Sequence, residues 1–474
     1  MKCNVLLAYP PYKLYQTVPP LGLGYLASYL REMREDVDVR IIDYNVEGSL
    51  THFYRRDLKK DLESFDIIGI GFMTPMVDEA FHLAKIANTM GKPVIFGGPH
   101  AAALPEEMLS SGLVDVVVRG EGEQTLAELC GLWAEGSRFE DLSDVVGISY
   151  VEDGGVTHNP DRPFIQDLDS IPFPARDLLN LDAYRVRYPG LAFSKPTVNI
   201  IGSRGCPNRC IFCASCVIWK RKTRFRSPEN IVEELESVIS GFGVTQFNFN
   251  DDTFTLKTDN VIRMCEMIID RGLDLRWACS TRVTSADKEM FEMMKKSGCT
   301  RIGLGIESAN PDVLKNIKKG ITVEKASRAV RFAKEAGLEV ITYFLVGNPG
   351  ENRKSIKDTI DFIVEHELDS FPGVVEPLPG TELYEIAKER GWLRDFKWSQ
   401  LLKAENRTIV RTEELSHEDV ETLTMVSKIV LNRARRGLLY GFGSFLYHMT
   451  HRPDLAGRIF AETLGYYVNP GKWS

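Results

Sequence analysis

Four of the nine cysteines of the chain lie close together in the stretch RGCPNRCIFCASC, residues 204–216. Three of them, Cys206, Cys210 and Cys213, have the spacing CxxxCxxC. Three thiolates on one short loop can bind three irons of a 4Fe-4S cluster and leave the fourth iron without a protein ligand, much as a catalytic zinc keeps an open position. A small chelating molecule can then bind that iron, so the spacing indicates a cluster that takes part in catalysis.

The same cysteines could also belong to a different kind of metal site. Cys213 and Cys216 form a CxxC pair, which also suits a four-thiolate zinc site or a closed electron-transfer cluster. A zinc ribbon usually has a second CxxC pair further along the chain, and this sequence has none. A closed cluster does not need the series of strands and helices that follows here. The pattern therefore favours the open cluster, with Cys216 as a bystander or a modulator near it.

The other cysteines indicate a reducing compartment. They are scattered and show no paired spacing, and they are Cys3, Cys130, Cys265, Cys279 and Cys299. In the cytoplasm, clustered thiols bind metal or catalyse reactions rather than form disulfides. We therefore predict a cytoplasmic protein without a disulfide framework.

Length and composition restrict the class of protein. The chain has 474 residues, which suggests two or three domains, and its 43% hydrophobic and 26% charged residues are typical of a soluble globular protein. No apolar run is long enough to cross a bilayer. The N-terminal stretch MKCNVLLAYPPYK is predicted to be a first strand rather than a signal peptide. The net charge of −8 argues against a nucleic-acid partner.

Residues 1–151 alternate apolar runs with helical patterns, which is typical of a doubly wound, Rossmann-like sheet. The predicted strands are 4–9, 39–44, 66–72, 93–98 and 115–120. Ligands of such sheets bind at the carboxyl ends of the strands, which here read AYPPY, GFMTPM, GGPHAA and RGEGE. A Pro- and Asp-rich linker is predicted over 152–195.

A second α/β series over 196–385 fits a partial (β/α)6 barrel, with an active site at the carboxyl ends of its strands. Its predicted strands are 197–203, 246–251, 275–281, 301–307, 340–347 and 373–377. The clearest helix follows Ser227 as N-cap, has Pro228 in its first turn and is predicted to end at Gly241. Residues 386–474 are predicted to be mostly helical.

Alternation along the barrel strands predicts which side chains point inward. Phe247 and Phe249 should pack under helices, which turns Asn248, Asn250 and Asp252 inward. The same argument predicts the inward sets of the next two strands, which are Ala278, Ser280 and Arg282, and Gly303, Gly305 and Glu307. The two glycines should empty the interior there. An unpaired buried carboxylate is costly, so Glu307 is expected to have a partner.

The cysteine motif, with Phe212 before its last cysteine, resembles the signature of the radical S-adenosylmethionine (SAM) enzymes. The stretches PPLGLGYLASYL, GGPHA, VVRGEGEQT, DLDSIPFPARD, RFRSPENIVEE, GIESAN and PLPGTELYE resemble the branch of that superfamily with a fused cobalamin-binding domain. The resemblance covers roughly residues 1–385. It implies a 4Fe-4S cluster on Cys206, Cys210 and Cys213, with SAM on the open iron and cobalamin in the first domain.

The inward polar set suits SAM, because carboxylates match its ammonium and ribose hydroxyls while arginine and serine match its carboxylate. The resemblance implies the same division. Asp251 and Asp252 occupy the place of the family's amino-group motif, although they depart from its commoner Gly-Gly-Glu form. Glu307 would bind the ribose of SAM, and Ser280 and Arg282 would bind its carboxylate. Phe212 and Val346 would border the adenine. The alternatives are that an aspartate caps the next helix and that Ser280 is an ordinary barrel residue.

Many cobalamin proteins place a histidine from a DxHxxG loop on the cobalt, and this motif is absent here. His82 lies in a helical pattern, and the resemblance places His100 at the cofactor's periphery. We predict cobalamin with its base displaced and no histidine ligand, and with Met73 or Thr74 nearest below the cobalt. The remaining residues predicted to contact cobalamin are Tyr9, Pro10, Gly97, Gly98, Arg119, Gly120 and Glu121.

The resemblance implies an enzyme that makes a 5′-deoxyadenosyl radical from SAM and then methylates an unactivated carbon. An oxidation, rearrangement, ring formation or carbon–carbon coupling is the alternative. RNA methylthiolation is disfavoured, because that family has three more cysteines in its first domain. A non-enzymatic cobalamin or iron–sulfur carrier would not need the inward polar set.

The expected partners are an organic substrate and a low-potential electron donor of flavodoxin or ferredoxin type. The basic run 220–226 is interpreted as a solvated loop, with an anion site as the alternative. The tail, rich in arginines and aromatic residues, is interpreted as a helical layer that covers the open side of the barrel. The alternatives are a site for an amphipathic or anionic substrate, or contact with a membrane surface.

Overall fold

The computed structural model describes residues 2–12, 18–184, 187–188, 191–192, 196–401, 407–468 and 473. They group into two compact units. The first comprises Met1–Cys206, Ala214–Asn248 and Trp398–Gln400, and the second comprises Pro207–Cys213, Phe249–Lys397 and Leu401–Ser474. Part of the predicted linker, at 185–186, 189–190 and 193–195, lies outside the described residues. The predicted domain boundaries stay predictions.

The first unit contains a seven-stranded sheet in the order β2-β1-β3-β4-β5-β6-β7. Its strands are β1 (Cys3–Tyr9), β2 (Val37–Asp43), β3 (Ile67–Gly71), β4 (Val94–Gly97), β5 (Val116–Val118), β6 (Ile148–Glu152) and β7 (Gly155–His158). The first five are parallel and match the five predicted strands. Strands β6 and β7 form an antiparallel hairpin that continues the sheet past residue 151, which the sequence did not indicate.

Helices cover both faces of this sheet. They are α1 (Leu21–Met33), α2 (Leu50–Arg55), α3 (Leu58–Leu62), α4 (Val77–Thr89), α5 (Pro99–Ala103), α6 (Pro105–Leu109) and α7 (Glu123–Ala134). Alternate residues of β1 enter different cores: Leu6 and Ala8 pack on one side, and Val5 and Leu7 on the other. Burial on both faces explains the continuous apolar runs, which are typical of parallel strands.

The second series of strands follows the sheet order β10-β13-β14-β15-β16-β17, and the last four are parallel. The strands from residue 187 onward are β8 (Arg187–Tyr188), β9 (Leu191–Ala192), β10 (Val198–Ile200), β11 (Ser203–Arg204), β12 (Arg224–Phe225), β13 (Gln246–Phe249), β14 (Arg276–Arg282), β15 (Cys299–Glu307), β16 (Glu339–Val346) and β17 (Asp369–Val374). The α/β fold class with a partial barrel is confirmed. Strand β17 begins earlier than predicted, and as an edge strand it tolerates Pro372.

The helices of this part begin with α8 (Ser215–Trp219), α9 (Pro228–Phe242), α10 (Thr258–Asp270), α11 (Lys288–Lys296) and α12 (Pro311–Asn316), and continue with α13 (Val323–Glu335), α14 (Arg353–Glu365) and α15 (Glu382–Glu389). Ser227 caps α9 as predicted, because its side chain accepts a hydrogen bond from the backbone N–H of Asn230 at 3.1 Å. The predicted end at Gly241 is wrong. Gly243 ends the helix instead, and its φ of +65° explains the glycine.

The tail is helical, as predicted, with α16 (His417–Arg436), α17 (Leu438–His451) and α18 (Ala456–Val468). Helix α16 packs along the edge strand β17. At one end Val420 lies against Gly347, just after β16, and at the other Arg435 pairs with Asp369, the first residue of β17. Within the described ranges, no helix is long and apolar enough to span a membrane.

A buried carboxyl group closes the turn after β16. Glu351 is 1% exposed and accepts hydrogen bonds from the backbone N–H groups of Gly347 at 2.6 Å and Asn348 at 3.2 Å. Burial raises the pKa of Glu351 from 4.5 to about 8, because a charged carboxylate is poorly solvated there. The carboxyl group is therefore neutral at pH 7.

We expect stability to fall as the pH rises from 4.5 to about 8, because over that range the folded state keeps the Glu351 proton that the unfolded chain releases. Its pKa is raised on folding, so its stabilising effect is complete below pH 4.5 and is lost as the pH passes the folded value. The Glu351→Gln variant keeps an acceptor oxygen but cannot ionise. Its urea midpoint should therefore change less with pH than that of the wild type.

The exposed Glu365 on α14 provides the control, because Glu365→Gln should retain the wild-type pH dependence. Equal pH profiles for the Glu351 variant and the wild type would contradict the assignment of a neutral carboxyl to this turn.

Candidate active site

The cysteine loop is held by tight backbone packing. Gly205 has a φ of +90°, and a Cβ there would overlap the carbonyl oxygen of Lys222. Ile211 is buried in the middle of the loop. Its N–H donates to the carbonyl of Ile317 at 3.1 Å, and its own carbonyl accepts from the N–H of Leu383 at 2.9 Å. These contacts fix the backbone between the second and third cysteines of the motif.

The thiols of the loop differ from the other thiols of the chain. Cys206, Cys210 and Cys213 are half-buried, as is Cys216, while the five scattered cysteines are fully buried. The Nη1 atom of Arg282, at the end of β14, donates to the Cys210 sulfur at 3.3 Å. A cation beside an accessible sulfur suits a thiolate ligand, so the loop fits a cluster.

Among the residues that the structure describes, no group of three His, Cys, Asp or Glu side chains is arranged to hold a single metal ion. The cysteines of a 4Fe-4S cluster each bind a different iron.

Strands β14 and β15 place Ser280 and Gly303 on one face, as the alternation predicted. A Cβ on Gly303 would lie 2.7 Å from the Ser280 Oγ and 2.9 Å from the Tyr343 ring, so these three residues share one face. Tyr343 also orients β16, which the apolar sequence of that strand left open. The sequence suggested that the two glycines leave the interior empty, but other side chains fill the space above them. The Tyr343 ring lies against Gly303, and Lys319 lies against Gly305.

Glu307 has a partner, as its predicted burial led us to expect, and this partner is Lys319. The Lys319 Nζ donates to the Glu307 carboxylate at 2.7 Å, and both residues are buried. Glu307 has a φ of +67°, and the register of β15 against β16 shifts between Gly305 and Glu307. The carbonyl of Lys319 accepts a hydrogen bond from the Arg282 guanidinium, and its ammonium lies 5.9 Å from the centre of the Phe212 ring. Neither Lys319 nor Tyr343 had a signal in the sequence pattern.

The structure separates the two aspartates that follow β13. The strand ends at Phe249, so the alternation that turned Asp252 inward does not reach that residue. Asp251 is buried and Asp252 is exposed. The residue before α10 is Lys257, so the alternative in which an aspartate caps this helix is wrong. Val346, predicted to border adenine, is fully buried at the end of β16.

In the first unit, glycines leave open backbone at two strand ends. Among the described residues, no atom lies within 4 Å of the position that a Cβ would take on Gly97, the last residue of β4, or on Gly120, two residues after β5. Gly98 has a φ of +97°, and a Cβ there would overlap the carbonyl oxygen of Phe72. Open backbone at the carboxyl ends of parallel strands can approach a large flat ligand closely, so this edge fits cobalamin.

His100 is buried at this edge. Its Nδ1 is 3.2 Å from the Thr74 Oγ1, and its ring packs against those of Phe72 and Trp398. Among the described residues, its buried Nε2 has no hydrogen-bond partner. Burial lowers the pKa of His100 to about 4, so the imidazole is neutral. Of the other predicted residues, Tyr9 and Met73 are half-buried, and Thr74 and Pro10 are buried.

Two residues predicted to contact cobalamin have structural partners. Arg119 donates to Asp161 at 3.0 Å and to the carbonyl of Ile148 at 3.1 Å. The carboxylate of Glu121 is buried between Arg204 and Arg224, both at 2.7 Å. Any contact of Arg119 or Glu121 with cobalamin stays a prediction.

The interpretation of the basic run 220–226 as a solvated loop is wrong for two of its arginines. Arg224 is buried beside Glu121, and Arg226 is buried at 2.5 Å from Glu234. Glu234 also pairs with Arg176 at 2.8 Å. These partners are distant in sequence, which is why the charge run alone suggested exposure.

Two family models match the chain: the radical SAM superfamily over residues 200–363 and the B12 binding domain over residues 12–130. The uncharacterized methyltransferase PH0819 of Pyrococcus horikoshii is 37% identical over 407 residues, which cover 83% of this chain and 85% of that protein. The anaerobic magnesium-protoporphyrin IX monomethyl ester cyclase of Rubrivivax gelatinosus is 29% identical over 393 residues, covering 80% and 68% of the two chains.

The fold is also similar to a solved structure. The radical S-adenosylmethionine methyltransferase TsrM of Kitasatospora setae, with cobalamin and a 4Fe-4S cluster bound, superimposes with a TM-score of 0.67 at 21% identity. The match covers 84% of this chain and 80% of TsrM. The two family matches and the relative that is 37% identical over 83% of this chain and 85% of its own length point to the same family. The chain therefore belongs to the radical SAM superfamily, among the members that carry a B12 binding domain.

Proposed function

We propose that the protein is a cobalamin-dependent radical SAM enzyme that methylates an unactivated carbon of an organic substrate. The observation that carries the proposal is the contact between Arg282, at the carboxyl end of β14, and Cys210 of the CxxxCxxC loop. It joins the cysteine loop to the strand ends where barrel enzymes act. The B12 binding match over residues 12–130 and the methyltransferase names of two similar proteins support methyl transfer.

Cys206, Cys210 and Cys213 would hold the cluster. When bound, the cluster, SAM and cobalamin supply the electron, the 5′-deoxyadenosyl radical and the methyl group. Arg282 holds the Cys210 sulfur toward the strand ends and, with Ser280, provides donors for the SAM carboxylate. Asp251 and Asp252 provide carboxylates for the SAM ammonium.

The remaining contacts proposed for SAM border its nucleoside. Glu307 would accept from the ribose hydroxyls, and Lys319 fixes the position of that carboxylate through the ion pair between them. Phe212 and Val346 would border the adenine.

In the first unit, we propose that Tyr9, Pro10, Gly97, Gly98 and Gly120 line the cobalamin site. The cofactor would bind with its base displaced and without an imidazole on the cobalt. His100 is buried against Thr74 and two aromatic rings, which supports a role in packing rather than as a ligand. Met73 and Thr74 would lie nearest below the cobalt, and both are poor ligands for it.

The proposal places the enzyme in the cytoplasm with a low-potential donor of flavodoxin or ferredoxin type. It also includes contact of the C-terminal region with a membrane surface. Ring formation is the second candidate reaction, because the Rubrivivax gelatinosus relative is named a cyclase. Transfer of labelled methyl from SAM to product would distinguish the two reactions.

We expect the anaerobically purified protein to cleave SAM to 5′-deoxyadenosine when it is given reductant. Replacement of Cys206, Cys210 and Cys213 by alanine should remove bound iron and abolish this cleavage, because each thiolate holds a separate iron. The cobalamin-binding unit should stay folded, which bound cobalamin would report. Cys216→Ala is the matched control and should keep both iron and cleavage.

Retention of cleavage by the triple variant would contradict the cluster assignment. An iron-loaded wild type that yields no 5′-deoxyadenosine would overturn the proposed reaction class.

We also expect the electron paramagnetic resonance spectrum of the Co(II) state to lack nitrogen superhyperfine splitting from an axial ligand. The physical reason is that the His100 imidazole is enclosed by protein and the cofactor's own base is displaced. His100→Ala should leave the spectrum unchanged, and His82→Ala, on helix α4, is the control. Axial nitrogen splitting that disappears only in His100→Ala would show that histidine binds the cobalt.

A further inference from the structure

Helices α17 and α18 expose apolar side chains to solvent along one stripe each. Leu439, Phe442 and Leu446 form the stripe of α17, and Phe460, Leu464 and Val468 form that of α18. Leu439 is 85% exposed and Val468 is 71% exposed. The spacing of three or four residues places each set on one helix face. We call these six residues the C-terminal apolar surface.

The two stripes belong to one surface. The rings of Phe445 on α17 and Phe460 on α18 lie 6.2 Å apart. The opposite faces of both helices pack on α16 through a small core that contains Met425, Ile429 and Ile459. The two helices are therefore adjacent, and the six residues of the C-terminal apolar surface lie outside the core that anchors the helices.

The polarity of these helices is the reverse of that of ordinary surface helices, which turn charges outward. Helix α17 contains no Asp, Glu, Lys or Arg. The charges of α18 point to the protein's own residues: Arg458 pairs with Asp419 at 2.6 Å, and Glu462 pairs with Arg353 at 2.8 Å. The charged groups of α18 form ion pairs within the protein, while the apolar side chains of both helices face solvent. This is the pattern of an interaction site.

Arginines at the end of α16 border the C-terminal apolar surface. The Arg433 guanidinium lies 4.1 Å from the centre of the Tyr467 ring, and that of Arg436 lies 5.7 Å from the Tyr440 ring. Arginine and tyrosine beside an apolar face match the boundary of a bilayer, where headgroups carry negative charge and acyl chains begin.

We propose that the C-terminal apolar surface docks on an anionic phospholipid bilayer, with α17 and α18 lying in the interface. The arginines would meet lipid phosphates while the apolar stripes enter the acyl boundary. A second copy of the chain fits less well. Helix α17 has no carboxylate to offer the arginines, and the single one of α18, Glu462, already pairs with Arg353. The inference specifies the membrane contact of the proposed function and needs no step of its reaction.

The test is flotation of the full-length protein, without SAM or reductant, with phosphatidylcholine vesicles with or without phosphatidylglycerol. We expect binding to the anionic vesicles and weaker binding at high salt. The Leu439→Ser/Phe460→Ser variant should lower the partition coefficient at least about tenfold, because each side chain contributes apolar burial. Arg433→Gln/Arg436→Gln should lower binding to anionic vesicles only.

The matched control is Ile269→Ser/Val364→Ser, which removes two exposed apolar residues on other helices. This control should bind as the wild type does. Absence of vesicle binding, or equal binding by all variants, would overturn the inference. So would lipid-free dimerisation that the Leu439→Ser/Phe460→Ser variant abolishes, because a second copy would then cover the surface. SAM cleavage, assayed separately, shows whether the proposed reaction fails independently.

Discussion

The barrel site depends on a linked series of two hydrogen bonds and one buried ion pair. It runs from the Cys210 sulfur to the Arg282 guanidinium, on to the carbonyl of Lys319, and from the Lys319 ammonium to Glu307. Removing one member of such a series leaves a buried charge without its partner, which costs several kcal/mol. The cysteine loop and the ends of β14 and β15 therefore cannot vary independently. The site is positioned through side chains that contact one another, and the loop alone does not determine its geometry.

Gly303 and the break in the register of β15 determine how much space surrounds these linked side chains. Ser280 and Tyr343 occupy the space that a Cβ at position 303 would need, which explains the glycine there. The positive φ of Glu307 comes where β15 breaks its register, and this turns the carboxylate toward Lys319. A non-glycine residue in that backbone conformation is strained and persists where surrounding contacts hold it. The ion pair with Lys319 is such a contact.

The sequence predicted features that depend on local repetition. The Val- and Ile-rich runs located the parallel strands, and alternation correctly placed Ser280 and Gly303 on one face because β14 and β15 continue through them. The same rule did not apply to Asp252, since β13 ends before it. The partners of Arg224, Arg226 and Glu307 could not be predicted by residue, because ion pairs between distant residues follow no period. The hairpin β6–β7 was missed because its strands are short and half exposed.

Helix α16 has a consequence for how this tail can be shortened or replaced. It lies along β17, the open edge of a sheet, and an uncovered edge strand offers unpaired backbone groups to other chains. Deleting the whole tail would therefore create an aggregating barrel rather than a trimmed enzyme. The tail thus has two layers that contact the barrel differently. The inner layer lies against its strand ends through Val420 and Arg435, whereas α18 of the outer layer contacts a barrel helix through the ion pair between Glu462 and Arg353 at the start of α14. Changes in the outer layer therefore reach the barrel through α14.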